Sequence, residues 1–244
     1  MKKNVFAAIC VAAFLSAGSV FAAPEFKMSA GIGGLFTTDW TDYKSKDTDL
    51  YPQANADDAS TAVLGGGVNV WFDATFVEVN IGLVFGNYFF PKEDSDAYKL
   101  GGDRTDDVMA LRVGALGKYP IALNEKVTLF PALGIDYEMA LTRKYHAGIL
   151  KGKGWDGKDD GTYARAVNGE KSTMLEQYSA LWFKAGVGAD FALGEKLYLR
   201  TEALYGIRLH NKYESDLLDA GNNSDKVSII GHGLDVKVGV GFKF

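Results

Sequence analysis

From Ser228 to Phe244 the chain reads Ser-Ile-Ile-Gly-His-Gly-Leu-Asp-Val-Lys-Val-Gly-Val-Gly-Phe-Lys-Phe. Leu234, Val236, Val238, Val240, Phe242 and Phe244 fall on one face of an extended chain; Asp235, Lys237, Gly239, Gly241 and Lys243 fall on the other. Alternation this strict predicts a β-strand with one apolar and one polar face.

Eight such segments can be marked, at 26–38, 60–73, 76–89, 107–119, 126–141, 178–192, 196–210 and 228–244. Each is near the roughly 9–11 tilted residues that cross a bilayer, plus a rim. Their connections alternate in length. Residues 73–75, 120–125 and 193–195 make short turns, whereas 40–59, 90–106, 142–177 and 211–227 make long loops. Short turns on one side and long loops on the other are the asymmetry of outer-membrane barrels, and an even strand number puts both chain ends on the short-turn, periplasmic side. The expectation is an all-β, eight-stranded antiparallel up-and-down transmembrane β-barrel.

The last strand resembles the C-terminal signature of bacterial outer-membrane β-barrels, whose terminal strand is what the assembly machinery recognises. The resemblance implies Val240, Phe242 and Phe244 as that assembly signal. The chain as a whole resembles the OmpX, OmpW and OmpA-barrel group. Residues 117–120 and 129–137, with Pro120 and Pro131, look like parts of small barrels seen in spirochaetes. The resemblance implies outer-membrane lipid and lipopolysaccharide, or its equivalent, as surroundings, and a monomer as the assembly state; it implies no particular activity.

The N-terminal segment agrees with that compartment. Lys2 and Lys3 precede an apolar run from Val5 to Ala17, and Val20-Phe21-Ala22 offers small residues to a signal peptidase. Residues 1–22 therefore read as a cleaved secretory signal, which leaves 23–244 as one barrel domain. The run is shorter than the roughly 20 residues of a membrane helix. Cys10 lies inside it, so the mature chain carries no thiol, disulfide or cysteine metal site. Losing Lys2 and Lys3 takes the formal charge from −5 to −7. No nucleic-acid partner is expected of a chain this acidic and exported.

A soluble up-and-down barrel would alternate too, but with its apolar face inside. Two features favour the membrane form. The apolar face is nearly unbroken, as in Val77, Val79, Ile81, Leu83 and Phe85. The other face is rich in glycine, including Gly31, Gly65, Gly82, Gly114, Gly188 and Gly241. Glycine packs nothing on a solvated strand, but in a narrow lumen it leaves room for large side chains opposite. Aromatic residues gather at both strand ends, as expected of two interfacial girdles. Phe26, Phe72, Phe76, Tyr119 and Phe191 belong to the periplasmic girdle, and Phe36, Trp40, Phe85 and Tyr137 to the outer one. Val79 is expected on the lipid face near the bilayer midplane.

The polar face also carries Lys27, Glu78, Arg112, Lys118, Asp136, Glu138, Lys184, Asp190, Arg200, Glu202, Arg208, Asp235, Lys237 and Lys243. An eight-stranded lumen is just wide enough to be filled by side chains, and buried charges must be paired. These residues therefore predict either a salt-bridged plug or a narrow hydrated pore lined by the same charges. Pro131, at an outward position, lacks an N–H for the ladder and predicts a bulge or local break.

No catalytic constellation emerges. A lipid A deacylase of the barrel type resembles a serine hydrolase with His and Ser two residues apart, and His146, His210 and His232 have no such serine. A palmitoyl transferase would carry an N-terminal amphipathic helix, for which Ala23 to Glu25 leave no room. Neither cofactor nor metal is expected. Residues 153–161 resemble a calcium loop in composition only, lacking regular oxygen spacing and a closing Glu. The long loop 142–177 mixes aromatics with bases, a composition suited to a surface protein or glycan, or simply to a solvated lid. A structural or surface-interaction role through the loops is the leading functional expectation, with a narrow channel next and a lipid A enzyme a distant third.

Overall fold

A computed structural model describes residues 26–45, 59–90, 104–146, 161–164, 175, 179–210 and 227–244. Among the described residues ten strands follow one another: β1 (Met28–Ser45), β2 (Ala59–Ala74), β3 (Val77–Phe90), β4 (Arg104–Lys118), β5 (Ile121–Ala122), β6 (Val127–His146), β7 (Gly161–Ala164), β8 (Ala180–Ala192), β9 (Leu197–His210) and β10 (Val227–Lys243). Eight form the wall, in the order β4-β3-β2-β1-β10-β9-β8-β6, and β6 pairs back onto β4. All of these pairs are antiparallel. Closure leaves no edge row of unpaired N–H and C=O groups, which hydrocarbon would not tolerate.

The eight expected segments are present, and several run further than alternation indicated. β1 continues to Ser45 and β6 to His146, where β7 pairs with Thr142 through Tyr145. Alternation does not mark the extension because, above the membrane, the outward face no longer has to be apolar. Thr37 and Asp39 on the inward face and Thr38 on the outward one already put polar residues on both sides.

Register places the membrane band. Ala30 stands opposite both Phe72 and Phe242, and Trp40 stands opposite His232. These two levels are ten residues apart on β1, which at ~3.3 Å per residue and ~40° tilt is about 25 Å, the height of an apolar belt. Val79 pairs with Phe72, so it lies at the periplasmic edge and not at the midplane. The midplane residues are Val68 and Leu83, which pair with one another.

Pro131 causes no bulge in its own strand. Pairing with β8 runs unshifted from Val127↔Phe191 to Glu138↔Ala180. The interruption falls on the partner, where Tyr119 and Pro120 separate β4 from β5 within one continuous register. Tyr119 N donates to Pro131 O at 3.2 Å, so the proline nitrogen faces the side on which the neighbouring strand is interrupted. The register shifts occur elsewhere, at Met109/Ala110 and Leu181/Trp182.

The turn end is tied together by backbone bonds between neighbouring hairpins. Lys118 N reaches Phe76 O at 2.9 Å, Lys243 N reaches Lys196 O at 2.8 Å, and Phe244 N reaches Met28 O at 3.0 Å. Thr75 has φ 63°, the left-handed region that a β-branched residue rarely enters. Its hydroxyl accepts from Lys27 N at 2.6 Å and donates to Lys27 O at 2.8 Å, holding the chain where it enters β1.

Candidate functional site in the barrel lumen

Two ion-paired networks fill the lumen. In the half nearest the short turns, Arg200 is the hub. Its Nε and one Nη hold the two oxygens of Asp190 at 2.7 Å each. Its other contacts are Glu78 at 2.6 Å and Asp73 at 2.7 Å. Lys118 pairs with Asp73 and lies 3.9 Å from Glu78; Lys237 lies 2.7 Å from Glu202 and 4.0 Å from Glu78. The guanidinium of Arg200 also sits 5.0 Å from the Phe130 ring, 5.2 Å from Tyr198 and 5.5 Å from Trp71. Tyr198 is fixed by Trp71 Nε1 at 3.0 Å and by the Ser29 hydroxyl at 2.9 Å.

The outer network is built on Arg112 and Lys184. Arg112 Nη1 donates to both oxygens of Asp235 at 2.9 Å, while its Nε meets Glu138 at 3.0 Å and its Nη2 meets the same oxygen. Lys184 pairs with Asp235 and lies 2.9 Å from Asp136. Thr37 donates to Asp235 at 2.8 Å.

These side chains are as inaccessible as a protein core. Asp136 is 0 % exposed, Glu78 and Asp235 1 %, Arg112 2 % and Arg200 3 %. Among the described buried residues seven acids face six bases, so the charge is nearly balanced. Glycine makes the room. A Cβ on Gly31 would overlap the Trp71 ring, one on Gly188 the Phe130 ring, one on Gly241 the Tyr198 ring, and one on Gly114 the Asp136 carboxylate.

Of the residues expected inside, Glu78, Arg112, Lys118, Asp136, Glu138, Lys184, Asp190, Arg200, Glu202, Asp235 and Lys237 come together in the two networks. Arg208 and Lys243 are half-buried; Arg208 stacks 5.8 Å from Trp182 and Lys243 sits 5.5 Å from Tyr198, near opposite ends of the lumen. Lys27 is exposed at the turn end. Asp39 and Asp73 read as loop and turn in the sequence, yet both occupy inward positions on their strands and are buried. Trp71, Phe130, Tyr198 and Trp182 also point inward, and alternation carried the signal, since Tyr198 stands two residues from Arg200, Trp182 two from Lys184 and Phe130 an even spacing from Asp136.

The outside is the reverse. Ile32, Phe36, Val68, Leu83, Ile135 and Val238 are among the large apolar residues left exposed around the wall. A closed sheet with ion pairs inside and an unbroken apolar belt outside has lipid as its solvent. The chain is a small eight-stranded transmembrane β-barrel, the fold of small outer-membrane barrels.

Val240, Phe242 and Phe244 belong to that belt, with Phe242 and Phe244 edge to face at 5.9 Å. At its outer border Trp40, Tyr205 and His232 form one aromatic group. Trp40 stacks on His232 at 5.7 Å, and the Tyr205 hydroxyl is hydrogen-bonded to His232 Nδ1 at 2.5 Å.

Solved barrels are similar in fold. The attachment invasion locus protein Ail of Yersinia pestis, solved in complex with the heparin analogue sucrose octasulfate, aligns over 91% of this chain and 100% of its own, at 15% identity and TM-score 0.36. OprG from Pseudomonas aeruginosa aligns over 91% of this chain and 98% of its own, at 10% identity and TM-score 0.42. Neisserial surface protein A aligns over 88% and 99%, at 10% identity and TM-score 0.41. No protein-family model matches the sequence, and no curated protein matches it.

Proposed function

We propose that the protein is a non-conducting, non-enzymatic stave of the outer membrane that presents its raised outer rim to a surface protein or glycan. The observation that carries this reading is the inaccessibility of the lumen charges: a water-filled pore would expose the side chains that line it, and Arg112, Asp136, Lys184 and Asp235 are at most 2 % exposed. The rim is raised because β1, with 18 residues, and β6, with 20, far exceed the roughly 9–11 needed to cross. Export through residues 1–22, lipopolysaccharide as neighbour and recognition of Val240, Phe242 and Phe244 during assembly belong to the same reading. Planar-bilayer recording of the refolded barrel tests it. No steady unitary conductance is expected; well-defined openings whose selectivity changes with lumen charge would promote the narrow channel in its place.

A further inference from the structure

On its loop side the outer network is kept dry by a collar of apolar side chains. Val63, Val84, Val108, Ala110 and Ala140 point inward from β2, β3, β4 and β6, and each is at most 7 % exposed. With Thr37, Asp39 and Glu138, the first four border a cavity of about 10 Å³, which is space for roughly one water molecule and too little for a column of water. One member of this apolar group does not belong to the wall. Leu175, which lies between β7 and β8 in the sequence, is fully buried and packs with Val108 and Ala140. Its attachment is local and polar. β8 begins at Ala180, opposite Glu138, and two residues further up β6 the Ala140 N–H donates to the Ser179 hydroxyl at 3.0 Å. The same hydroxyl donates to Leu175 O at 3.2 Å.

We propose that Leu175 is a detachable seal on the outer mouth of the lumen: its withdrawal admits water to Val108 and to the Glu138 carboxylate beneath, while the eight-stranded wall stays closed. A ring of apolar side chains shuts a narrow passage by excluding water. Leu175 is the part of that ring that can leave without breaking any strand pairing of the described wall, since the ladders from β4 to β6, β6 to β8 and β8 to β9 all run without it. Leaving gives up its packing on two side chains and the tie through Ser179. That is a local opening, of the sort that proceeds at a free energy below that of global unfolding. The ion-paired plug stays in place underneath, so the seal controls the hydration of the outer network and not the passage of ions.

The test compares two single thiols in the full chain refolded in micelles, with Cys10, the one native cysteine, replaced by serine. Val108→Cys lies against Leu175, and Ala132→Cys lies deep in the wall, packed with Leu116, Phe130 and Leu204. Each is reacted with a charged, water-soluble methanethiosulfonate. Where Val108→Cys does not fold, Ala110→Cys, two residues below it and equally buried, takes its place. The upper thiol should react slowly while Leu175 is present. Adding Leu175→Ala should raise its rate at least ~tenfold and leave the rate of Ala132→Cys unchanged, because the opening is local. Ser179→Ala, which removes the tie and keeps the leucine, should also speed the upper thiol. Leu175→Met, which conserves volume, should keep it slow. An upper thiol whose rate ignores Leu175→Ala would overturn the proposal. So would an equal rise at both thiols, which would make Leu175 an ordinary part of the cooperative core.

Discussion

Arg200 concentrates more of the interior than any other side chain described, holding Asp190, Glu78 and Asp73 at once while lying against three rings. Arg200→Ala leaves three buried or half-buried carboxylates short of their common partner. Breaking a buried pair in this way costs about 3–5 kcal/mol. Urea unfolding of the refolded barrel should show that loss; a cost below ~1 kcal/mol would mean that water already screens the site. Arg200→Lys should recover only part, since an ammonium cannot grip both Asp190 oxygens in a planar fork. The glycines divide by the space around them. Gly114→Ala drives a methyl into the Asp136 carboxylate and is expected to cost roughly 1–3 kcal/mol, whereas Gly34→Ala, with its nearest contact at 4.0 Å, should stay within ~0.5 kcal/mol of wild type. Equal costs for the two would remove the packing explanation of the lumen glycines. At this scale the sequence was legible wherever alternation assigned a face, as for Arg112 and Asp235. It was silent where a side chain sits at the end of a pattern. Asp73, although flanked by Phe72 and Ala74, is the last polar position before a turn, and Asp39 stands above the belt beside Thr38, so in neither case did alternation continue far enough to mark the residue as inward.

Strand type and order were legible because lipid enforces an apolar residue at every second place, and a periodic demand leaves a periodic trace. Depth was not, since alternation says which way a residue points and nothing of how high it stands. Val79 illustrates the difference: its face was right and its height was not, because only pairing with Phe72 shows how close it lies to the turn. Leu83→Arg, at the midplane, should therefore cost about 2–4 kcal/mol, and Val79→Arg only ~0–1 kcal/mol. Reversed values in lipid-bilayer unfolding would mean that the band has been placed at the wrong height. Pro131 shows a second limit, for a missing donor costs little where the partner strand is itself interrupted, and that is a property of Tyr119 and Pro120. The last strand yields a prediction about assembly. Phe244→Asp puts a charge beside Phe242 at the end of the apolar stripe. It should lower the amount of folded, heat-modifiable barrel recovered from outer membranes, while the same variant refolded in detergent should still close. Undiminished recovery from membranes would detach Phe244 from assembly.

For the molecule as a whole, the question is whether the lumen behaves as a core or as a channel, and salt separates the two. Charges in contact with water are screened over about 10 Å at 0.1 M salt and about 3 Å at 1 M, whereas buried pairs are screened far less. The charges here alternate in sign along the barrel, from Asp190 and Arg200 through Glu78 and Lys237 to Asp136, Lys184, Asp235 and Arg112, and each of the last six is at most 5 % exposed. A filled lumen of this kind predicts an unfolding midpoint that barely moves between about 0.1 M and about 1 M sodium chloride, together with an electrically silent bilayer. A hydrated pore with the same residues predicts the opposite on both counts, because its pairs would weaken as ions entered and its current would follow the salt. Arg112→Ala sharpens the contrast. In the filled lumen it strands Glu138 and takes from Asp235 one of its two cationic partners, so stability should fall by several kcal/mol and become dependent on salt as water follows the lost side chain. In a wet pore the change should leave stability nearly unaltered and shift selectivity toward cations. A variant of unchanged stability and altered selectivity would make the two networks the lining of a channel.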